Sequence, residues 1–375
     1  MMRLGDICTI VSGSTPKSNI PEYWDGDVKW ITPAELNEGT YIINDSVRHI
    51  TELGVVKTGL KPFPKGTVIL SSRAPIGKTA IAGCEMYCNQ GFKNLICSDK
   101  INPRYLYWFL TCNTEYLNSL GRGATFKEIS KEIVANIEIP LPSMEQQIVV
   151  AEKFEKISEL IALRNEQLAK LDQLVKSRFI ELFGDPVASK NKRKLSEIGR
   201  VFTGNTPSMK EPSYYESNDI PFIKPSDLNE SGVTYIDGVE AYVSEKARPV
   251  ARIIPPQAVL VTCIGTIGKI GITARESCCN QQINSIMPND GINSVYLAHC
   301  LTFFKSTLQN IANAPVVPII NKTQFSELEI PVFEVDKQQR FAAFVEQTDK
   351  SKLAIQQSLC KLELLKKSLM QEYFE

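Results

Sequence analysis

The sequence predicts an α+β protein: two similar mixed α/β modules joined by two long helices that pair as an antiparallel coiled coil, in a circular pseudo-twofold arrangement. Three observations predict it. Motifs recur at one offset of about 191 residues, roughly half of the 375-residue chain. Each half opens with short β-branched runs broken by Pro and Gly. Each half then closes on a long stretch free of both, with apolar residues at heptad spacing.

The repeat runs the length of the chain. Thr15-Pro16 returns as Thr206-Pro207. Trp30-Ile31-Thr32-Pro33-Ala34-Glu35-Leu36-Asn37 returns as Phe222-Ile223-Lys224-Pro225-Ser226-Asp227-Leu228-Asn229. Ile76-Gly77-Lys78 matches Ile267-Gly268-Lys269, and Cys88-Asn89-Gln90 matches Cys279-Asn280-Gln281. Tyr105-Leu106, Ile139-Pro140 and Glu145-Gln146-Gln147 pair with Tyr296-Leu297, Ile330-Pro331 and Lys337-Gln338-Gln339. Chance similarity would not hold one offset, within a residue, across half a chain. The expected bounds are 1–144 for the first module, 145–185 for the central helix, 186–335 for the second module and 336–375 for the last helix.

Inside the first module, Thr67 to Leu70, Thr79 to Ala82 and Asn94 to Ile96 are strand candidates. Asn102-Pro103 and Asn293-Ser294 carry helix-start signals in the two halves. In the central helix Val150, Phe154, Ile157, Ile161, Leu168, Leu171, Val175 and Leu182 fall on alternating steps of three and four, which makes a coiled-coil seam. The second helix repeats it as Phe341, Val345, Ile355, Leu359, Leu362, Leu369 and Tyr373, with Thr348, Lys352 and Lys366 interrupting. The expected pairing residues are Ile157, Ile161, Leu168, Leu171 and Val175 against Ile355, Leu359 and Leu362. Each helix needs an apolar partner, and a tethered one is at high effective concentration. The central helix leaves one module and enters the other, so an antiparallel partner satisfies both ends. Arg3-Leu4-Gly5-Asp6-Ile7 is like Lys194-Leu195-Ser196-Glu197-Ile198, so the end of the chain runs on into its own beginning. A helix of about 36 residues is ~54 Å long, a spacer of somewhat more than the ~34–36 Å turn of B-DNA.

Composition closes off other classes. No apolar run approaches the ~18 residues of a membrane span, so a cytoplasmic protein is expected. The ten Cys form no C-x-x-C pair and there are only two His, so no metal site is expected and the thiols read as small buried hydrophobes. Arg73-Ala74-Pro75-Ile76-Gly77-Lys78-Thr79 looks like the end of a phosphate loop, but Ser72 and Cys263 stand where its first Gly belongs. Ile254-Pro255-Pro256-Gln257 lacks the amide or acid and the aromatic ring of a methyltransferase tetrapeptide. No G-x-S-x-G is present. The chain is expected to be non-catalytic and to hold no cofactor. Lys and Arg number 42, as do Asp and Glu, and that balance argues against nonspecific grip on a polyanion.

Taken in order and twice over, these motifs resemble the specificity subunit of type I restriction-modification enzymes, over essentially the whole chain. The residues that carry the resemblance are Gly13-Ser14-Thr15-Pro16, the Trp30 to Leu36 run and its Phe222 to Leu228 copy, Asn89-Gln90 with Asn280-Gln281, and the Ile137 to Gln147 and Leu328 to Pro331 endings. Pro318-Ile319-Ile320-Asn321-Lys322 is also similar to a family element, with Phe126-Lys127-Glu128-Ile129-Ser130 as a looser match. The resemblance implies that each module is a target recognition domain reading one half of a bipartite double-stranded DNA site. It implies that the helices space the modules and dock modification (methyltransferase) subunits, two in number, which carry the S-adenosylmethionine chemistry. Restriction/translocase subunits would complete the complex. The competing readings are a stand-alone DNA methyltransferase or restriction enzyme, which the missing motifs oppose, and a duplicated coiled-coil scaffold that binds protein only.

Base readout favours side chains with two hydrogen bonds to offer, Arg or Lys to guanine and Asn or Gln to adenine. Phosphates take Lys, Arg, Ser, Thr and backbone N–H. The DNA-binding candidates are Thr15, Lys17, Arg73, Lys78, Asn89, Gln90, Lys93, Arg122 and Lys127 in the first module. In the second they are Thr206, Lys210, Lys269, Asn280, Gln281, Gln282, Asn284 and Lys322. Residues common to both halves, such as Asn89 and Asn280, read equally as turn amides bonding their own backbone. Positions that differ, Arg73 against Ile264 and Lys93 against Asn284, are the better specificity candidates. Glu152, Glu155, Glu159, Glu166 and Asp172 place much acid on the helices, away from DNA, so the chain alone is expected to bind DNA weakly.

Overall fold

A computed structural model describes residues 1–37, 39–73, 75–123, 127–312 and 317–374. Ala74, Phe126 and Glu375, which fall in the motifs above, lie outside these residues. The chain forms two compact units, Met1–Leu163 with Ser358–Glu375, and Arg164–Gln357. Each long helix contributes one half to each unit.

In the first unit a five-stranded sheet runs in the order Cys8–Ser12, Lys93–Cys97, Val68–Leu70, Thr79–Ala82 and Ile42–Ile43. The first four strands are antiparallel and the last is parallel to its neighbour. A smaller sheet joins Arg48–Ile50, Trp24–Ile31 and Tyr87–Cys88. The second unit repeats both sheets: Gly199–Thr203, Ile283–Pro288, Val259–Thr262, Ile270–Thr273 and Val233–Ile236, then Tyr242–Val243, Ile220–Ile223 and Cys278–Cys279. The central strand Val68–Leu70 reads as an unbroken apolar run because both of its faces are covered. Val68 and Leu70 pack toward the helices, and Ile69 packs into a second core with Ile31, Phe63 and Phe92. Val259, Val261 and Leu260 divide in the same way.

Two helices, Pro103–Cys112 and Ser294–Phe303, cover the large sheets. Asn102 caps the first by accepting from Arg104 N–H, and Asn293 caps the second by accepting from Val295 and Tyr296 N–H. That is the Asn signal seen in the sequence, with its hydrogen bonds. Tyr105 and Tyr296 are fully buried, and each hydroxyl donates to a proline carbonyl in the segment leading into its long helix, Pro140 O at 2.9 Å and Pro331 O at 2.8 Å.

The long helices are Met144–Phe183 and Val335–Phe374. Ser143 and Gln146 form a capping box at the start of the first. At its end Gly184, at φ 73°, donates its N–H to Ile180 O. One buried glutamine clasps each helix to its module. Gln147 accepts from Asn102 N–H and donates to Lys100 O and Pro142 O. Gln338 accepts from Asn293 N–H and donates to Gly291 O and Phe333 O. The equivalent glutamines are therefore Gln147 and Gln338, so the repeat here keeps its offset of about 191 and the sequence pairing of Gln147 with Gln339 is one residue out.

Within each unit the two half-helices run antiparallel. Phe154 stacks on Phe374 at 5.3 Å in the first unit, and Phe179 meets Phe341 edge-on at 5.2 Å in the second. Phe374 packs on Tyr105 and Phe109 just as Phe183 packs on Tyr296 and Phe333. Ile157 and Val175 are buried, while Ile161, Leu168, Leu171, Ile355, Leu359 and Leu362 are half-covered. The polar interruptions stay on the seam with partners. Lys352 Nζ lies 2.6 Å from Asp172 on the facing helix, and Lys366 Nζ sits 5.2 Å over the Trp108 ring. Among the described residues no helix is long and apolar enough to cross a membrane.

Candidate nucleic-acid interface

The sheet topology gathers most of the candidate residues at one end of each module. In the first, the strands Cys8–Ser12 and Val68–Leu70 finish where Thr79–Ala82 and Lys93–Cys97 begin. Residues 12–17, 71–73, 75–78 and 88–93 therefore share an edge, and 121–123 and 127–129 add to it through bridges from Glu128 to Arg73 and Arg122. In the second, residues 203–206, 262–269, 279–284 and 317–321 assemble alike, through Ile264 opposite Ile319.

The repeated residues make repeated bonds. Thr15 Oγ1 donates to Gln90 Oε1, and Thr206 Oγ1 donates to Gln281 Oε1 at 2.8 Å. All four side chains are exposed. Asn89 Oδ1 accepts from Gly91 N–H at 2.8 Å and Asn280 Oδ1 from Gln282 N–H at 3.1 Å, so both are turn amides spending their oxygen on their own loop. Asn280 Nδ2 also donates to Gln282 Oε1. Lys78 and Lys269, half-buried, each donate to a carbonyl of the Pro-containing loop, Pro33 O and Pro225 O, both at 3.2 Å. Lys269 is also 2.7 Å from Glu230. The approach of the 12–16 segment needs glycine. A Cβ on Gly13 would lie 2.0 Å from Cys88 O, and one on Gly204 2.2 Å from Asn280 O.

The positions that differ are divided by burial. Arg73 is half-buried at the edge, and Arg122, Lys127, Lys17, Lys210 and Lys322 are exposed. Lys93 and Asn284 were singled out as side chains to meet bases, but the fold puts both beneath the surface, at 7% and 2% exposure. Lys93 Nζ pairs with Glu128 Oε1 at 3.0 Å and Ser72 Oγ at 3.3 Å. Asn284 accepts from Thr203 Oγ1 at 2.7 Å and donates to Ile320 O at 3.3 Å. Their polar groups are consumed inside the edge, because their strand position points them between the sheet and the added ladder. Ile129 N–H bonds Ser72 O, and Ile320 N–H bonds Cys263 O. Glu128 is thus equivalent to Ile319 and Lys127 to Pro318, one residue from the pairing read in the sequence. Arg252 was missed there. Its guanidinium donates to Thr203 O, and its N–H to Asn205 Oδ1, beside the same edge.

Elsewhere the chemistry is quiet. The ten Cys are free thiols. Burial raises Cys88, Cys263 and Cys300 to about 12, away from thiolate reactivity. No cluster of His, Cys, Asp and Glu able to hold a metal occurs among the described residues.

Both modules of this duplicated chain thus expose a bonded threonine and glutamine at the same sheet edge, Thr15 with Gln90 and Thr206 with Gln281. The family profile described as type I restriction modification DNA specificity domain matches residues 1–173 and again 188–364. The chain belongs to that family, whose role is DNA sequence specificity in restriction-modification. It is 35% identical over 243 residues to the MjaIX specificity subunit of Methanocaldococcus jannaschii, spanning 59% of this chain and 56% of that protein. It is 23% identical over 365 residues to the EcoprrI specificity subunit of Escherichia coli, spanning 92% and 86%. Its fold is similar to the crystal structure of the S subunit from M. genitalium, with a TM-score of 0.61 at 14% identity, covering 100% of this chain and 95% of the other. It is also similar to a chain from a structural study of complex assembly and conformational transition of the type I R-M system. There the TM-score is 0.62 at 19% identity, covering 99% and 96%.

Proposed function

We propose that this chain selects the target of a type I restriction-modification complex, each module reading one half of a bipartite double-stranded DNA site. The observation that carries the reading is the matching pair of loop edges, where Thr15, Gln90 and Arg122, and Thr206 and Gln281, stand exposed, with Lys210 exposed a few residues beyond. Exposed Arg and Gln supply base-edge bonds, and Lys, Thr and loop N–H groups supply phosphate bonds. Arg73 belongs to the first set, and Lys17, Lys127 and Lys322 to the second. Asn89 and Asn280 shape the loops, and Asn280 Nδ2 donates to Gln282 Oε1.

The long helices are the spacer and the docking surface for two modification subunits, which supply the methyl-transfer chemistry. Restriction/translocase subunits complete the assembly, and the chain itself holds no cofactor. The test is methylation of a pool of randomised duplexes by the chain with its modification subunits, followed by sequencing of the methylated molecules. Two fixed blocks separated by an unspecified gap are expected. Methylation without sequence selection would sink the reading. Inserting four residues after Leu168 should change the gap and leave the blocks as they are.

A further inference from the structure

We propose that Lys93 and Glu128 act as one charge-compensated pair that holds the arginine-bearing strands of the first module in reading position, a device that the second module builds without charge. The inference rests on the reading of that module as a DNA-recognition unit, and deepens it.

Glu128 is the hub of the added ladder. Its N–H donates to Arg122 O and its carbonyl accepts from Arg122 N–H, both at 3.0 Å, while its other side bridges Arg73. Two candidate base-reading arginines are thus neighbours of one acid. That acid is a hazard on a DNA face, for two reasons. A bare carboxylate repels phosphates. It is also the preferred bidentate partner of a guanidinium, and an arginine folded onto Glu128 is lost to guanine. Lys93 answers both. Its ammonium approaches Glu128 from beneath, at 3.0 Å, and is itself anchored to Ser72, whose carbonyl holds Ile129. A lysine this buried needs a counter-charge, so each member requires the other.

The duplication supplies the control. At the equivalent places the second module has Asn284 for Lys93 and Ile319 for Glu128, with the Arg73–Glu128 bridge kept as Ile264–Ile319. Both charges are absent together, and the link from strand to ladder becomes a hydrogen bond donated by Asn284 Nδ2 to Ile320 O. Half of this exchange would strand a charge. The whole exchange keeps the geometry.

The experiment uses the complex with modification subunits and the randomised duplex pool. Lys93→Asn and Glu128→Ile are expected each to lower discrimination at the first half-site by roughly tenfold, the value of one good bidentate base contact. The double variant is expected to recover most of it, and the second half-site to stay unchanged in all three. Glu128→Gln keeps the side-chain shape and is expected to lose discrimination with hydrogen-exchange protection of the module intact, which separates this role from a folding defect. Unchanged first-half letters in the single variants, or a double variant no better than the worse single, overturns the proposal. Absence of any two-block selection by the unsubstituted complex overturns the recognition reading and the pair's role with it.

Discussion

Where the first module presses Trp108 between Phe154 and Tyr41, with centroids at 5.6 and 6.0 Å, the second sets His299 beside an open cleft of about 850 Å³. The two sites are equivalent by the repeat. Tyr107, Phe154 and Lys366 in the first unit correspond to Ala298, Val345 and Val175 in the second, and Tyr41 to Thr234 by strand register. Every replacement is smaller. Polar contacts diverge as well. Glu155 in the first unit joins Arg104 and the Tyr41 hydroxyl. Its counterpart Glu346 pairs, among the described residues, only with Lys350 one turn along its own helix. In the second unit the cleft walls carry His299, Tyr235, Asp172, Asp349 and Lys352. His299 lines the cleft, while its Nε2 is shut off from solvent without a hydrogen-bond partner among the described residues. Two copies of one backbone thus meet their helices in different ways, one through aromatic packing and a charge network, the other through small residues and a buried imidazole. A shared fold leaves that contact free to diverge, because the glutamine clasp and the helix seam already fix the joint.

The largest expected effect tests the packing difference. Trp108→Ala should cost the first unit about 3–5 kcal/mol, the range for emptying a buried aromatic site. His299→Trp should cost the second unit less than about 1.5 kcal/mol, because the cleft has room for the larger ring. Urea titration followed by hydrogen exchange on peptides of each unit assigns each loss. Equal costs at the two sites would break the comparison.

Acid should next separate the units. Burial, then the nearby Lys352 charge, lowers His299 from 6.5 to about 3. The unfolded chain therefore binds the extra proton first, and the second unit loses stability as pH falls below about 6.5. The slope approaches ~1.4 kcal/mol per pH unit and the loss reaches about 2 kcal/mol by pH 5. His299→Asn should flatten that window. A stability of the second unit that stays level between pH 6.5 and 5 would remove this half of the contrast.

The first unit should respond lower on the scale. Burial alone would raise the Glu155 carboxyl, but Arg104 and Tyr41 outweigh it and bring it below its ordinary 4.5. The stabilisation is present above about 4.5 and lost as pH falls through the folded value. Glu155→Gln should cost about 1 kcal/mol at pH 7 after allowance for its partial exposure, and should abolish the acid dependence. Glu346→Gln, measured beside it, should change nothing. The smallest effects concern the seam. Lys366→Met removes a cation over an indole and should cost ~0.5–1 kcal/mol. Lys352→Met removes an ion pair with Asp172 and should cost under about 1 kcal/mol. A larger loss for Lys352 would mark that pair as a register device rather than a surface contact.

Much of this molecule is legible in its sequence. The strand Val68–Leu70, the Asn caps and the apolar seam all follow from local pattern, since each depends on residues a few positions apart. Thr15 and Gln90, 75 residues apart, were both named because their motif recurs, although nothing local says that they bond. Lys93 and Asn284 were misplaced as surface readers. A lone Lys or Asn in a polar run carries no mark of burial, and its cover, the ladder at 127–129 or 318–320, comes from more than 30 residues away. The signal available was the joint change of Lys93 with Glu128 to Asn284 with Ile319 at the common offset.

The sequence by itself determined the duplication, the strands and helices that local pattern marks, and the antiparallel logic of the helices, because periodicity and repeat spacing are properties of one dimension. The tertiary structure alone decided which candidate residues lie on the open edge and which lie under it. It also decided that one module is sealed by Trp108 and the other left with a cleft at His299. Burial is set by what arrives from elsewhere in the chain, and only closure of the fold brings it there.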